Sequence, residues 1–361
     1  MLVVALCGSF AWDTPPPWAG AQAGAVTAPS DGYAHTHTDG QWTSGIDLTS
    51  LPVGTKVSTS PAVGSVYACQ TTFNGGGAFT TGPWMKSDGT YDLTAKPVVD
   101  GEVTWTSKLE VTLQGMSRVF TGNGLPYHTT GTYPLASSDD AYQYDRNPNR
   151  IQEQTLSITV PATPSVASSA TCLNGGTIGI LDTGSVFFDA LDAAGRDAVA
   201  YEIQDACAGH PERTGQYHYH SLSPCVVGND DTSAHSPRVG YAIDGFGIYG
   251  PRGEGGAVLA TSDLDECHGH THEIEWDGQT VSLYHYHATW SYPYTLGCFR
   301  GTPARTLPAG AGPGGQGGPG GQAGQPGPGQ AGPGQPGPGL PPRPPRTQGL
   351  PGVPGAQSPG A

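Results

Sequence analysis

Charge is scarce in this sequence. Only 12% of the 361 residues carry it, and 15 basic side chains face 30 acidic ones, a formal net charge of −15. So large an excess of carboxylates repels phosphate backbones and anionic lipid headgroups, which argues against nucleic acid and membrane surfaces as partners. Long hydrophobic runs are missing as well. No stretch approaches the about 18 uninterrupted apolar residues of a membrane span. Helical periodicity is equally rare. The spacing predicts one short helix, over 189–203, with Leu191, Ala194, Ala198 and Tyr201 on one face and Asp189, Asp192 and Asp197 solvating the other. These aspartates would suit calcium chemically, but no recognisable calcium loop surrounds them.

Glycine and proline, by contrast, are abundant, at 56 and 34 residues, and they are concentrated near the C-terminus. Residues 303–361 are mostly Gly, Pro, Gln and Ala, with a glycine at every third position from Gly312 to Gly327. That period is collagen-like but soon interrupted, and Pro341-Pro342-Arg343-Pro344-Pro345-Arg346 adds polyproline II character. The segment is predicted to be a disordered spacer, with a cell wall or extracellular matrix as its expected contact. At the other end, residues 1–30 combine an apolar start with Ala21-Gln22-Ala23 as a small-residue cleavage site. They read as a signal peptide without its basic start, followed by a linker. A lipid anchor at Cys7 ranks second, because Leu6 is too large for the position before such a cysteine. The expected location is therefore secreted or extracytoplasmic. In that setting Cys69, Cys172, Cys207, Cys225, Cys267 and Cys298 favour three disulfides over free thiols, although the count alone allows fifteen pairings.

Between these ends, residues 31–302 read as a single β-rich domain of antiparallel sheets and long loops. Leu109, Val111 and Leu113 alternate with polar residues, as do Leu156, Ile158 and Val160, and Val103-Thr104-Trp105 precedes the first of these runs. Turn signals at Asn74-Gly75, Asn123-Gly124 and Asn147-Pro148 fit the same class.

The most informative region is an internal repeat. Asp205-Ala206-Cys207-Ala208-Gly209-His210, then Tyr217-His218-Tyr219-His220, then Cys225, is followed by Asp265-Glu266-Cys267-His268-Gly269-His270, Tyr284-His285-Tyr286-His287 and Cys298. Three elements recurring in one order predict two similar units, 205–225 and 265–298, related by a pseudo-twofold axis. Each unit then carries its own cysteine pair, Cys207–Cys225 and Cys267–Cys298, which leaves Cys69 with Cys172. The paired Tyr-His-Tyr-His motifs resemble the YHYH-domain family of exported proteins. So do His235-Ser236-Pro237, Gly240 to Pro251, Leu264 to Cys267, Tyr292 to Cys298, Asn123 to Gly131 and Asn147-Pro148-Asn149, so that the resemblance spans 115–302. It implies an exported domain and a candidate surface, not a reaction.

On a strand, Tyr-His-Tyr-His points both histidines one way and both tyrosines the other. In the second unit, Asp277-Gly278 is a two-residue hairpin signal. Pairing outward from it sets Ile274 opposite Val281, His272 opposite Leu283, His270 opposite His285 and His268 opposite His287. Five imidazoles would then share a face with Ile274, Val281 and Leu283, although Gly269 weakens the strand where this register needs it. Converging imidazoles in an exported protein suit a transition metal, copper or zinc. The candidate ligands are His218, His220, His285 and His287, with His210 and His270 next, all around a shared hollow. Asp205, Asp265 and tyrosine hydroxyls would orient the rings. If the metal is catalytic, a nearby carboxylate is required, and Asp244 and Glu266 are the weak candidates, Asp244 being read rather as a turn residue.

Other motifs carry less. Cys207/His210 and Cys267/His270 have zinc half-site spacing, which oxidation into disulfides would abolish. Asp182-Thr183-Gly184 looks like half of an aspartic-protease dyad; without a second copy it reads as a β-turn unless a homodimer supplies the partner. His272-Glu273 lacks the second histidine of a zinc-protease helix, and no Gly-x-Ser-x-Gly elbow or phosphate loop occurs. The competing reading of another class is a non-catalytic extracellular or wall-associated module with structural histidines.

Overall fold

The computed structural model describes residues 46–304 apart from residue 74 and residues 227–232. The signal-peptide segment 1–30, Cys7 and nearly all of the 303–361 tail lie outside the described residues. Among those described, no helix is long and apolar enough to cross a membrane.

Short pairings open the chain: β1 (Leu51–Pro52) lies antiparallel to β4 (Thr90–Tyr91), and β2 (Val57–Ser58) parallel to β3 (Val66–Tyr67). Next comes a three-stranded antiparallel sheet of β5 (Leu109–Gln114), β6 (Ser117–Gly122) and β7 (Leu156–Pro161). Its β7 strand buries Leu156, Ile158 and Val160 and exposes the residues between, as their alternation predicts. At the edge, β5 keeps Val111 and Leu113 exposed, and Val103 forms only an isolated bridge to Thr130.

The main sheet has eight strands: β8 (Thr177–Leu181), β9 (Val186–Phe188), β10 (Gly209–Pro211), β11 (Tyr217–Tyr219), β12 (Arg238–Ala242), β13 (Gly247–Tyr249), β14 (Gly269–Trp276) and β15 (Gln279–His287). Their spatial order is β10-β11-β9-β8-β12-β13-β15-β14, so each unit contributes one half in the same internal order. The repeat is thus longer than its histidine motifs: each unit begins with a hairpin, β8–β9 or β12–β13. Ile180 and Tyr241 occupy equivalent places in the two hairpins and pair with each other across the antiparallel β8–β12 junction. A pseudo-twofold axis passes between them, perpendicular to the sheet. Asp182-Thr183-Gly184 is the turn of the first hairpin, with Gly184 N–H bonded to the Leu181 carbonyl.

Most pairs are antiparallel, but β9–β11 and β13–β15 run parallel. In the first unit residues 189–216 supply the long crossover that a parallel pair needs. Helix is confined there to Ala198–Tyr201, shorter than the predicted 189–203. The reason is side-chain competition with the helical backbone: Asp192 Oδ1 accepts from the N–H groups of Ala194 and Arg196, Gly195 has φ +78°, and Asp197 caps the helix through Val199 and Ala200 N–H. Asp189, Asp192 and Asp197 are all buried, so they do not solvate a surface helix.

The three-stranded sheet packs over the middle of the main sheet. Phe120 meets Tyr241 at 5.2 Å between ring centroids, and the buried Arg118 donates to both oxygens of Asp277, at 2.8 and 2.7 Å, pinning the tip of the β14–β15 hairpin. Three disulfides join Cys69 to Cys172, Cys207 to Cys225 and Cys267 to Cys298, the pairing that the repeat predicts.

Candidate metal centres

The Asp-x-Cys-x-Gly turn that opens each histidine motif is organised by its aspartate. Asp205 Oδ1 accepts from Cys207 N–H at 3.0 Å and Gly209 N–H at 3.2 Å, and Asp265 Oδ1 from Cys267 N–H at 2.9 Å and Gly269 N–H at 3.0 Å. Ala208 and His268 sit at the same place in the two turns with φ of 61° and 74°, a conformation that costs energy in a residue with a Cβ. Leaving this turn, each chain enters β10 or β14 with its histidine facing the next strand: His210 pairs with His218, and His270 with His285.

The aspartates do not orient histidines, as was expected of them. Tyr217 donates its hydroxyl to both Asp205 oxygens at 2.9 and 2.8 Å, and Tyr284 donates to Asp265 at 2.9 Å. Asp244, considered as a base or ligand, is also on the tyrosine face. It accepts from the Tyr286 hydroxyl at 2.6 Å and from the N–H groups of Gly301 and Phe246, as a buried turn residue. Glu266 is half-buried beside the Cys267–Cys298 disulfide, its carbonyl facing Cys298 Sγ at 3.5 Å. Cys207 and Cys267 are spent in disulfides and offer no thiolate.

The histidines are oriented by backbone carbonyls. In the first unit His218 Nδ1 donates to Gln216 at 3.2 Å and His220 Nδ1 to Asp189 at 2.5 Å. A carbonyl can only accept, so both rings carry their lone pair on Nε2 when neutral. These two Nε2 atoms lie 3.1 Å apart. His210 joins them with neither ring nitrogen hydrogen-bonded, and Phe188 stacks on His218 at 4.0 Å. Glu202 stands beside two of the three: its Oε2 has no hydrogen-bond partner and is 3.5 Å from Nε2 of both His210 and His220. All of this borders a cleft of about 790 Å³ whose further lining includes Phe73, Arg146 and Asn149.

In the second unit the group is His235, His270, His272, His285 and His287, with one ligand atom from each within 4.8 Å of the others. Carbonyls again take Nδ1–H: Leu283 from His285 at 3.0 Å, Gly250 from His287 at 2.6 Å, Ser236 from His235 at 2.8 Å and Glu273 from His272 at 2.8 Å. The Nε2 atoms then converge, His270 on His287 at 3.0 Å and His235 on His285 at 3.3 Å, while His272 Nε2 has no hydrogen bond. Desolvation lowers these imidazoles: His220 and the half-buried His270 to about 4, His285 to about 3, and His210, His218 and His287 well below the ordinary histidine value. The Glu202 carboxyl moves the other way, raised by burial and by the neighbouring Asp145 and Asp192.

The six predicted ligands are therefore brought together as two triads, not around one hollow. Strands β11 and β15 stand five strand spacings apart, roughly 24 Å along the sheet. His268 is excluded from the second group: pairing ends at Gly269 opposite Tyr286, and the buried His268 ring reaches Thr289 Oγ1 at 3.0 Å. His235 takes its place. It reaches the site across 50 residues of sequence, so no local spacing identifies it as a ligand. Glu202 is hidden in the same way, inside a stretch with helical spacing.

Fold and site together define a disulfide-cross-linked β protein with a histidine group in each half of a duplicated sheet. Residues 157–257 match the family described as YHYH protein, and the chain carries a YHYH domain there, in agreement with its motifs. The matched region holds Tyr217-His218-Tyr219-His220 and ends before Tyr284-His285-Tyr286-His287. No curated protein and no solved structure matches the chain.

Proposed function

We propose that this is an exported protein whose two histidine groups each hold a transition-metal ion through Nε2, copper or zinc being suited to imidazole ligands. The observation that carries this reading is the approach of paired lone pairs. His218 and His220, and again His235 and His285, donate Nδ1–H to carbonyls and face each other through Nε2 at 3.1 and 3.3 Å. Two lone pairs at that distance repel unless a cation lies between them, and a proton could serve only by charging a ring in a desolvated setting. A tetrahedral ion with nitrogen ligands at about 2.0–2.1 Å holds them about 3.3 Å apart. Three disulfides fit an oxidising, extracytoplasmic compartment, and the Gly/Pro tail would space the domain from a wall or matrix.

Such an ion would act as a Lewis acid or lower the pKa of bound water, given an open position. The chain's own contribution is to fix ring tautomers through the carbonyls that accept Nδ1–H. Elemental analysis of protein exported into native medium is expected to find about two equivalents per chain. His285→Ala with His287→Ala is expected to remove one of them and leave the β-sheet circular dichroism unchanged. Less than about one-tenth equivalent of copper, zinc, iron and manganese together would overturn the reading and leave the histidines structural.

A further inference from the structure

The two halves of the sheet share their strands, turns and tyrosine–aspartate pairs, yet the groups facing the ion differ. The second group is made of imidazoles. Among the described residues the carboxylate beside it is Glu254, 3.5 Å from Nδ1 of His272, a nitrogen already donating to a carbonyl, and the Glu254 side chain is 64% exposed. The first group has three imidazoles, and one carboxylate, Glu202, that is 8% exposed and stands beside two of them, His210 and His220. Helix Ala198–Tyr201, capped by Asp197, delivers that carboxylate beside His210 and His220, and Asp145 fixes the next turn by accepting from Ile203 N–H at 3.0 Å.

We propose that Glu202 is the fourth ligand of the first centre, completing a set of three imidazoles and one carboxylate, so that the two halves of the repeat hold chemically different metal ions. This rests on the metal reading above. A buried Oε2 without a hydrogen bond, equidistant at 3.5 Å from two Nε2 atoms, is a costly arrangement for any group other than a ligand. His210 supports it independently, since its two buried ring nitrogens also have no hydrogen bond. An anionic oxygen in place of a further imidazole makes the site harder, favouring manganese or ferrous iron over copper relative to the all-imidazole centre. The first centre also opens on the cleft of about 790 Å³, in the size range of small-molecule sites.

The test is titration of the metal-free full chain with Mn²⁺, followed by electron paramagnetic resonance. One equivalent is expected to bind, and to bind equally to the His285→Ala, His287→Ala chain. Glu202→Gln is expected to raise the Mn²⁺ Kd by more than about 100-fold, beyond the roughly 10–100-fold lost with a residue that only orients a ligand. A loss inside that range, or none, overturns the assignment while leaving metal binding intact. A wild-type chain that binds no metal of any kind overturns both. Should Glu202→Gln fail to fold, Glu202→Asp draws the oxygen back by one methylene and is expected to weaken Mn²⁺ at least about tenfold; unchanged binding overturns the proposal.

Discussion

His128 lies on the tyrosine face, away from both histidine groups, and shows what burial does to a ring with no role in them. Its Nδ1–H is donated to the Thr129 carbonyl at 2.7 Å, and its Nε2 accepts from the Tyr219 hydroxyl at 2.5 Å. Desolvation lowers it to about 4 from the ordinary histidine value, opposed only by the bond to Thr129. Between the unfolded value near 6.5 and the folded value of about 4, the unfolded chain binds a proton that the folded chain refuses. The stability owed to neutral His128 is thus fully present above that window and is lost as pH falls through it. Replacing the ring by Gln removes the linkage. Urea unfolding of the His128→Gln chain should therefore depend less steeply on pH between 6.5 and 4.5 than wild type, by at most about 1.4 kcal/mol per pH unit. Equal slopes for the two chains would show that His128 titrates normally. The buried carboxyls pull the other way. Asp205, raised to about 6 by burial, favours the folded state as pH falls through the same range, so the comparison must be between variants and not of the wild-type curve alone.

The two histidine hairpins owe their shape to tyrosine rings lying over glycines. A Cβ on Gly209 would meet Tyr217 Cζ at 2.3 Å, and one on Gly269 would meet the Tyr284 hydroxyl and the His285 carbonyl, each at 2.4 Å. The glycine that weakens a strand in isolation here leaves room for the ring that bonds to Asp205 or Asp265, and pairing of β14 extends as far as Gly269, its first residue. Gly269→Ala is expected to destabilise the chain by about 1–3 kcal/mol through overpacking against backbone, read from the urea midpoint; a change below about 0.5 kcal/mol would show that the ring is free to move. This hairpin was legible in the sequence because its determinants are local. Asp277 and Gly278, with φ of 50° and 77°, make the turn, and alternation fixes the faces, so Ile274–Val281, His272–Leu283 and His270–His285 pair as predicted. Elements built by distant segments were not legible. The parallel β9–β11 and β13–β15 pairs depend on crossovers, His235 and Glu202 arrive from outside the motifs, and the 189–203 periodicity gave way to aspartate turns.

Across the whole described domain the units are tied into each other rather than strung together. The β8–β12 junction makes the sheet continuous, and contacts from three regions meet behind the first unit. Tyr294, near the end of the second unit, donates its hydroxyl to Asp197 of the first at 2.7 Å, and the same hydroxyl lies 3.2 Å from that of Tyr91. Trp84 donates Nε1–H to the Ala200 carbonyl at 2.8 Å, and Asp197 also accepts from Gly54 N–H at 2.7 Å. Damage to one unit should therefore be felt by all. The Cys207–Cys225 bridge is confined to the first unit, with a sequence separation of 18. The chain-entropy account puts the loss of such a loop closure at about 3 kcal/mol. Cys207→Ala with Cys225→Ala should accordingly lower a single calorimetric transition by roughly 5–10 °C. If instead the first unit melted early while the second kept the wild-type Tm, two resolved transitions would appear. The shared sheet would then be a contact between two independently folded repeats, and the bonds from Tyr294 to Asp197 and Tyr91 would contribute little to cooperativity.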